Sequence, residues 1–307
     1  MVYVQGGLIE ASDFNGFRNT VMDVYGTGNG DRGYGQTAIT VPTVSGGSVE
    51  LVKSSEWTNL RAAIVVCGDH QGSVLSLPPS VEQEQDDLIQ SHPTGTGDIP
   101  VSVSLIDTNR QVQDPGSLTL FTSALTSTRA VAWSTQIQHE FTVTFGDGDD
   151  ARYFFNSGGD IQVRASRAGG SASSQNTAWT NLLTSMGTVR FGPTQTTPTG
   201  SGTGSAIGYW GATGAWQQIY SISDAGAYSA NNATMYVRRD TSSDTSGNGD
   251  NGFRFSFRID FNDAHANGWF DSVDGTFSSI IDYNLATTHL SVAGPTLSTT
   301  TELTVGS

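Results

Sequence analysis

Lysine is almost absent from this chain. Lys53 is the only one, so all but one of the 14 basic residues are arginine. Arginine favours planar, hydrogen-bonded pairing over diffuse positive charge. Charge of either sign is scarce at 14%, and 29 acidic residues leave a formal net charge of -15. That field opposes contact with nucleic-acid phosphates or anionic membrane surfaces, so neither partner is expected. Cysteine is limited to Cys67, which rules out an internal disulfide; its place in the apolar run Ala62–Cys67 suits a small buried side chain better than a catalytic thiol. No apolar run reaches 18 residues, so membrane insertion is not expected. Met1–Gly6 lacks the basic start and apolar core of a signal peptide, which points to folding in the cytoplasm where the chain is made.

What the chain has instead is 37 glycines, abundant Ser, Thr and Asn, and only 36% hydrophobic residues in a length of 307. This composition favours short strands joined by tight turns and excludes a helix bundle. The clearest helical pattern runs from Asp13, a candidate cap, through Phe14, Phe17, Val21 and Val24 to Gly26. The glycine-rich loop Gly26–Gln36 follows that helix. A phosphate-binding loop would precede one, so a nucleotide site is not expected. Strands are expected over 39–42 and 49–52, a second helix over 54–68 with Trp57, Leu60, Ile64 and Cys67 on one face, a third over 81–90, and a linker at 91–97. Together these make an α+β module over 1–130.

From 131 to 307 the alternation is strand-like. Ile137, His139, Phe141, Val143 and Phe145 share a face; a turn at 146–150 then leads into Arg152–Phe155 as a hairpin. Ile161, Val163 and Ala165 alternate again, Trp179, Leu182, Leu183 and Met186 form a helical stripe, and 188–191 returns as strand. Residues 192–206 read as a low-complexity loop unable to fold alone, and a place where the body could subdivide. Strands resume at 218–222, 234–238 and 253–261. The expected fold is mainly β with a few helices: an antiparallel β-sandwich body with a small helical N-terminal module.

Chemistry is harder to find. The histidines, His70, His92, His139, His265 and His289, show no metal-ligand spacing, and no nucleophile turn occurs. Acidic turns at Asp147–Asp150, Asp244–Asp250 and Asp271–Gly275 offer oxygen ligands for a structural calcium, although Phe255 stands where an EF-hand loop needs glutamate. No cofactor is otherwise expected. Tyr209, Trp210, Trp216, Tyr220 and Tyr228 read as surface aromatics, for a subunit interface or for stacking on glycans.

Three segments resemble virion structural proteins of tailed phages, particularly those of marine and cyanobacterial phages. They are Gly7–Asn15 continuing through Gly26–Gly28 and Gly33–Gln36; Tyr153–Ile161 with Ala165–Arg167 and Gln175–Trp179; and Phe257–Asp263 with Asp271–Thr276. The resemblance implies a particle component of the tail, neck, baseplate or fibre type, made in the host bacterial cytoplasm and located in the virion. It carries over no catalytic residue, and no enzyme is expected; a glycan depolymerase is the enzymatic alternative. The expected partners are copies of itself in a trimer or other symmetric oligomer, and other tail, neck or baseplate proteins. The N-terminal helix with Phe14, Phe17, Val21 and Val24 would serve attachment. A receptor- or glycan-binding tip touching host surface glycan and a capsid decoration protein are the alternatives. The absence of long repeats argues against a full fibre or β-helical spike.

Overall fold

The computed structural model describes residues 11–36, 43, 54–77, 99–121, 123–243, 247–265 and 272–304. The strands expected at 39–42 and 49–52, the helix at 81–90 and the linker at 91–97 lie outside these residues.

The chain forms two compact units. The first comprises residues up to Thr119 together with Asn156–Gly158 and Ala286–Val292; the second comprises the rest. The chain therefore leaves the first unit at Leu120, earlier than the expected 130, and returns to it twice.

Three helices build the first unit: α1 (Ala11–Tyr25), α2 (Ser54–Gln71) and α3 (Ile99–Thr108). Phe14, Phe17, Val21 and Val24 of α1 meet Trp57, Leu60, Ile64 and Cys67 of α2, and Ile99, Val103 and Ile106 of α3 close the cluster. Each large side chain removed from water here contributes about 1.5–3 kcal/mol. The Phe14 and Trp57 rings meet edge to face at 5.0 Å. Helix α3 is not announced by the sequence. Its β-branched residues read equally well as strand, yet Pro100 sits in the first turn, where a missing N–H costs nothing, and the buried residues recur at helical spacing.

The second unit is a two-sheet antiparallel sandwich. One sheet runs in the order β1 (Leu118–Leu120), β11 (Thr276–Ala286), β4 (Asp160–Ala168), β5 (Thr188–Phe191), β6 (Thr196–Pro198), with β2 (Leu125–Arg129) also pairing with β11. The other runs β12 (Thr296–Thr304), β3 (Gln136–Thr144), β10 (Arg254–Asn262), β9 (Asn232–Arg239), β8 (Gln217–Ser223), β7 (Thr203–Gly204). Strict alternation places Ile137, His139, Phe141 and Val143 of β3 inward, as expected, beside Phe255, Phe257, Ile259 and Phe261 of β10. These meet the other sheet through ring contacts of Phe257 with Phe191 (5.2 Å) and Phe261 with Phe277 (5.4 Å). Helix α5 (Ser174–Met186) inserts Trp179 against Phe261, Phe277 and Trp133.

Two expectations are overturned here. Residues 152–155 are not the second strand of a hairpin but part of helix α4 (Gly148–Asn156). The Asp147 carboxylate accepts the Asp150 N–H at 2.8 Å, a side-chain cap that starts a helix. Ala151, Arg152, Phe154 and Phe155 are then buried on successive turns. Residues 192–206 are not a loop that divides the body, because β6 joins one sheet and β7 the other. The segment is held by backbone bonds more than by apolar burial: Thr196 donates its N–H to Ser205, and a Cβ on Gly204 would lie 2.0 Å from the Thr196 carbonyl oxygen. Only glycine permits that approach.

Candidate functional site

The residues that carry the resemblance are spent on holding the fold. The loop Gly26–Gln36 has positive φ at Gly28, Gly30, Gly33 and Gly35, which curls its carbonyls inward. The buried Asn156 amide nitrogen lies 3.1 Å from the Gly30 and Arg32 carbonyl oxygens and 3.3 Å from that of Gly33, so the first and second resembling segments meet inside the first unit. Tyr34 donates its hydroxyl to the Arg110 carbonyl and accepts from Gln71, while Arg32 pairs with Asp107 at 2.9 Å and Arg110 with Asp31 at 2.6 Å. The loop is a clasp, and its polar groups face protein.

The second and third segments meet in the second unit. Asp274 accepts from the Ser171 N–H and hydroxyl, from the Asn176 amide and from Arg167, and Gln175 donates to Asp263 at 2.6 Å. Desolvation pushes the Asp274 carboxyl up, but these donors outweigh it and hold the group below the usual carboxylate range. The other candidate calcium carboxylates are engaged in the same way. Asp147 caps α4, Asp149 pairs with the fully buried Arg152 at 2.8 Å and accepts from Asn248, and Asp250 accepts the Gly252 N–H. Asp244, Ser246 and Asp271 lie outside the described residues. Among the described residues no group of three or more His, Cys, Asp or Glu side chains is arranged to hold a metal ion.

The expected attachment residues are displaced from their role. Phe14, Phe17, Val21 and Val24 are the core of the first unit, so no partner can reach them in the folded chain. The outward residues of α1 are Ser12, Gly16, Asn19 and Asp23. Of the five surface aromatics, Tyr209 and Tyr220 are buried: Tyr209 stacks on Phe155 at 4.6 Å, and Tyr220 donates its hydroxyl to the Ser201 carbonyl at 2.5 Å. An aromatic residue in a loop or strand does not declare which side is covered. Trp210, Trp216 and Tyr228 are half-buried, and Tyr228 meets His265 edge to face at 4.7 Å.

Trp216 belongs to the most distinctive surface of the second unit, the outer face of β8, β9, β10 and β3. Its ring lies between two guanidiniums, Arg238 at 4.5 Å and Arg258 at 4.8 Å, and Arg258 also covers Tyr236 at 4.6 Å. Cross-strand register makes this possible, since Arg258 stands opposite Tyr236 on one side and Glu140 on the other. Arg238 reaches Glu140 at 3.4 Å and Arg258 pairs with Asp260 at 2.8 Å. Burial pushes the Asp260 carboxyl up against the pull of Arg258. The face ends in an amide ladder, Gln136 donating to Asn262 and Asn262 to Asn232. Its rings, guanidiniums and amides form a fixed, flat, polar-aromatic surface, suited to binding and lacking a nucleophile with a paired base. Period-2 alternation in β9 and β10 placed Arg258 outward in the sequence; Trp216, just before β8, carried no such signal.

No helix among the described residues is long and apolar enough to cross a membrane. No known protein family, curated protein or solved structure matches this chain.

Proposed function

We propose that this chain is a structural component of a tailed-phage virion, a tail, neck or baseplate appendage that assembles symmetrically through the outer face of its second sheet. The observation that carries the reading is the convergence at Asn156 and Asp274: the segments that resemble virion proteins are the ones that tie distant parts of the chain together. A likeness confined to fold-holding residues is what a scaffold protein keeps, whereas an enzyme would keep a reacting cluster. The Trp216, Tyr236, Arg238 and Arg258 surface supports the assembly half of the reading, because aromatic residues and arginine are enriched where protein surfaces meet. A symmetric oligomer would bury the same face on every copy.

The test is quantitative mass spectrometry of purified virions separated into heads and tails, with copy number set against the major capsid protein. Low copy number in the tail or neck fraction is the expected result. Copies in proportion to the capsid protein would replace the reading with a decoration protein, and absence from particles would end it. In parallel, light scattering should give a defined oligomer for the purified chain and a lower mass for Trp216→Ala with Arg238→Glu.

A further inference from the structure

A cleft of about 500 Å³ opens in the second unit between α5, the turn Ser201–Thr203 and the end of β8. That volume falls within the range of small-molecule sites. Its composition is unusual for this acidic chain: hydroxyls and an amide line it, with one carboxylate and no basic side chain. Asn181 stands on the exposed side of α5. Across from it Thr203 and Ser221 face each other in β7–β8 register, and Ser223 and Asp224 follow on the same wall. The buried side chains of Leu182 and Ile222 provide an apolar floor between these walls.

The walls are fixed while their polar tips are unused. The Ser201 N–H donates to the Ser185 carbonyl at 2.7 Å, and the Ser201 carbonyl accepts from the buried Tyr220 hydroxyl at 2.5 Å. Gly202 has φ +101 and lies so close to the Tyr220 ring that a Cβ would collide with it, so the rim cannot shift without repacking. By contrast, the side chains of Asn181, Thr203, Ser221 and Ser223 make no hydrogen bond to the described residues, and the Asp224 Oδ2 is shielded from solvent without a donor among them. A shielded acceptor without a donor costs about 1–3 kcal/mol, which a ligand hydroxyl would recover.

We infer that this cleft binds a neutral saccharide. A sugar ring is apolar on the face of its C–H bonds and hydroxylated around its edge, which matches a Leu182–Ile222 floor between Asn181 on one side and Ser221, Ser223 and Asp224 on the other. The lone carboxylate accepts hydroxyl hydrogens, and the absence of arginine, lysine or histidine from the lining excludes phosphate and acidic sugars as the preferred class. Binding here is independent of the assembly face and of the virion reading.

The experiment is titration of the isotope-labelled full chain, followed by amide NMR shifts, with the methyl glycosides of glucose, galactose, mannose and N-acetylglucosamine, and with inorganic phosphate as the anionic control. At least one glycoside should give saturable shifts confined to the amides around Ser185, Ser201 and Ser223, with Kd of about 1–10 mM, the weak range for a small polar ligand. Asn181→Leu, which fills the cleft, and Asp224→Ala, which removes the acceptor, should each weaken binding at least about tenfold, a loss of about 1.4 kcal/mol, while leaving the spectrum folded. Both positions are partly or fully exposed, so neither variant threatens the core. The inference is overturned by no saturable shift with any glycoside, by shifts that survive both variants, or by phosphate binding in the cleft in place of the glycosides.

Discussion

Replacing Asn156 by alanine would strand the Gly30, Arg32 and Gly33 carbonyls that its amide nitrogen faces inside the first unit. The expected loss is about 1–3 kcal/mol, measured as a shift in urea midpoint at unchanged slope. Asn156→Asp should lose more than Asn156→Ala, since it sets a carboxylate against those same oxygens. His70 governs a second residue-scale property. Burial pulls its pKa from 6.5 down to about 4, outweighing the backbone hydrogen bond from Ser157 that favours the charged form. A depressed histidine contributes stability that is complete above its unfolded value and lost as the pH falls towards its folded one. Between pH 7 and pH 5 the chain should therefore lose about 2 kcal/mol through this one group. Asp160 and Asp260, whose carboxyls burial pushes up, act in the opposite direction. Urea denaturation of the native chain and of His70→Phe at both pH values separates these contributions, because only the native chain should show the His70 component.

Among the elements, the two kinds of glycine make opposite predictions. Gly16 is exposed in the middle of α1 with open space where a Cβ would go, so Gly16→Ala should stabilise by about 0.5–1 kcal/mol. Gly204→Ala should push β6 from β7 and lower the thermal midpoint, because its Cβ would fall on the Thr196 carbonyl. Calorimetry of the two variants side by side checks both signs. The same contrast explains what could be read from the residue order. Strands β3 and β10 and helices α1 and α5 declare themselves because each buries one periodic face: Phe255 to Phe261 every second residue, Trp179 to Met186 at helical spacing. Helix α4 did not, since Tyr153-Phe154-Phe155 is as good a strand as a helix until the Asp147 cap is known. The 192–206 segment was misread because it is held by main-chain bonds and glycine contacts, which leave no hydrophobic pattern. The Trp216 surface and the saccharide cleft depend on which faces stay open, and that depends on tertiary packing.

At the scale of the whole molecule, the first unit is sewn from three separated stretches of chain. Ala286 and Leu290 sit in its hydrophobic core beside residues from α1, α2 and α3, and Asn156 supports its loop. A fragment ending at Thr119 therefore lacks both, and should show reduced helicity by circular dichroism and fast amide exchange compared with the same helices in the full chain. The return of the chain at Ala286–Val292 also sets an order of events. On the ribosome, α1 is made first yet cannot complete its packing until nearly all of the chain has emerged, because the contacts that finish its core span more than two hundred and sixty residues. The N-terminal helices thus wait, incompletely buried, through most of synthesis. The unit that begins the chain is among the last to mature, so a particle that recruits the chain through this unit would accept only copies whose synthesis has run to the end.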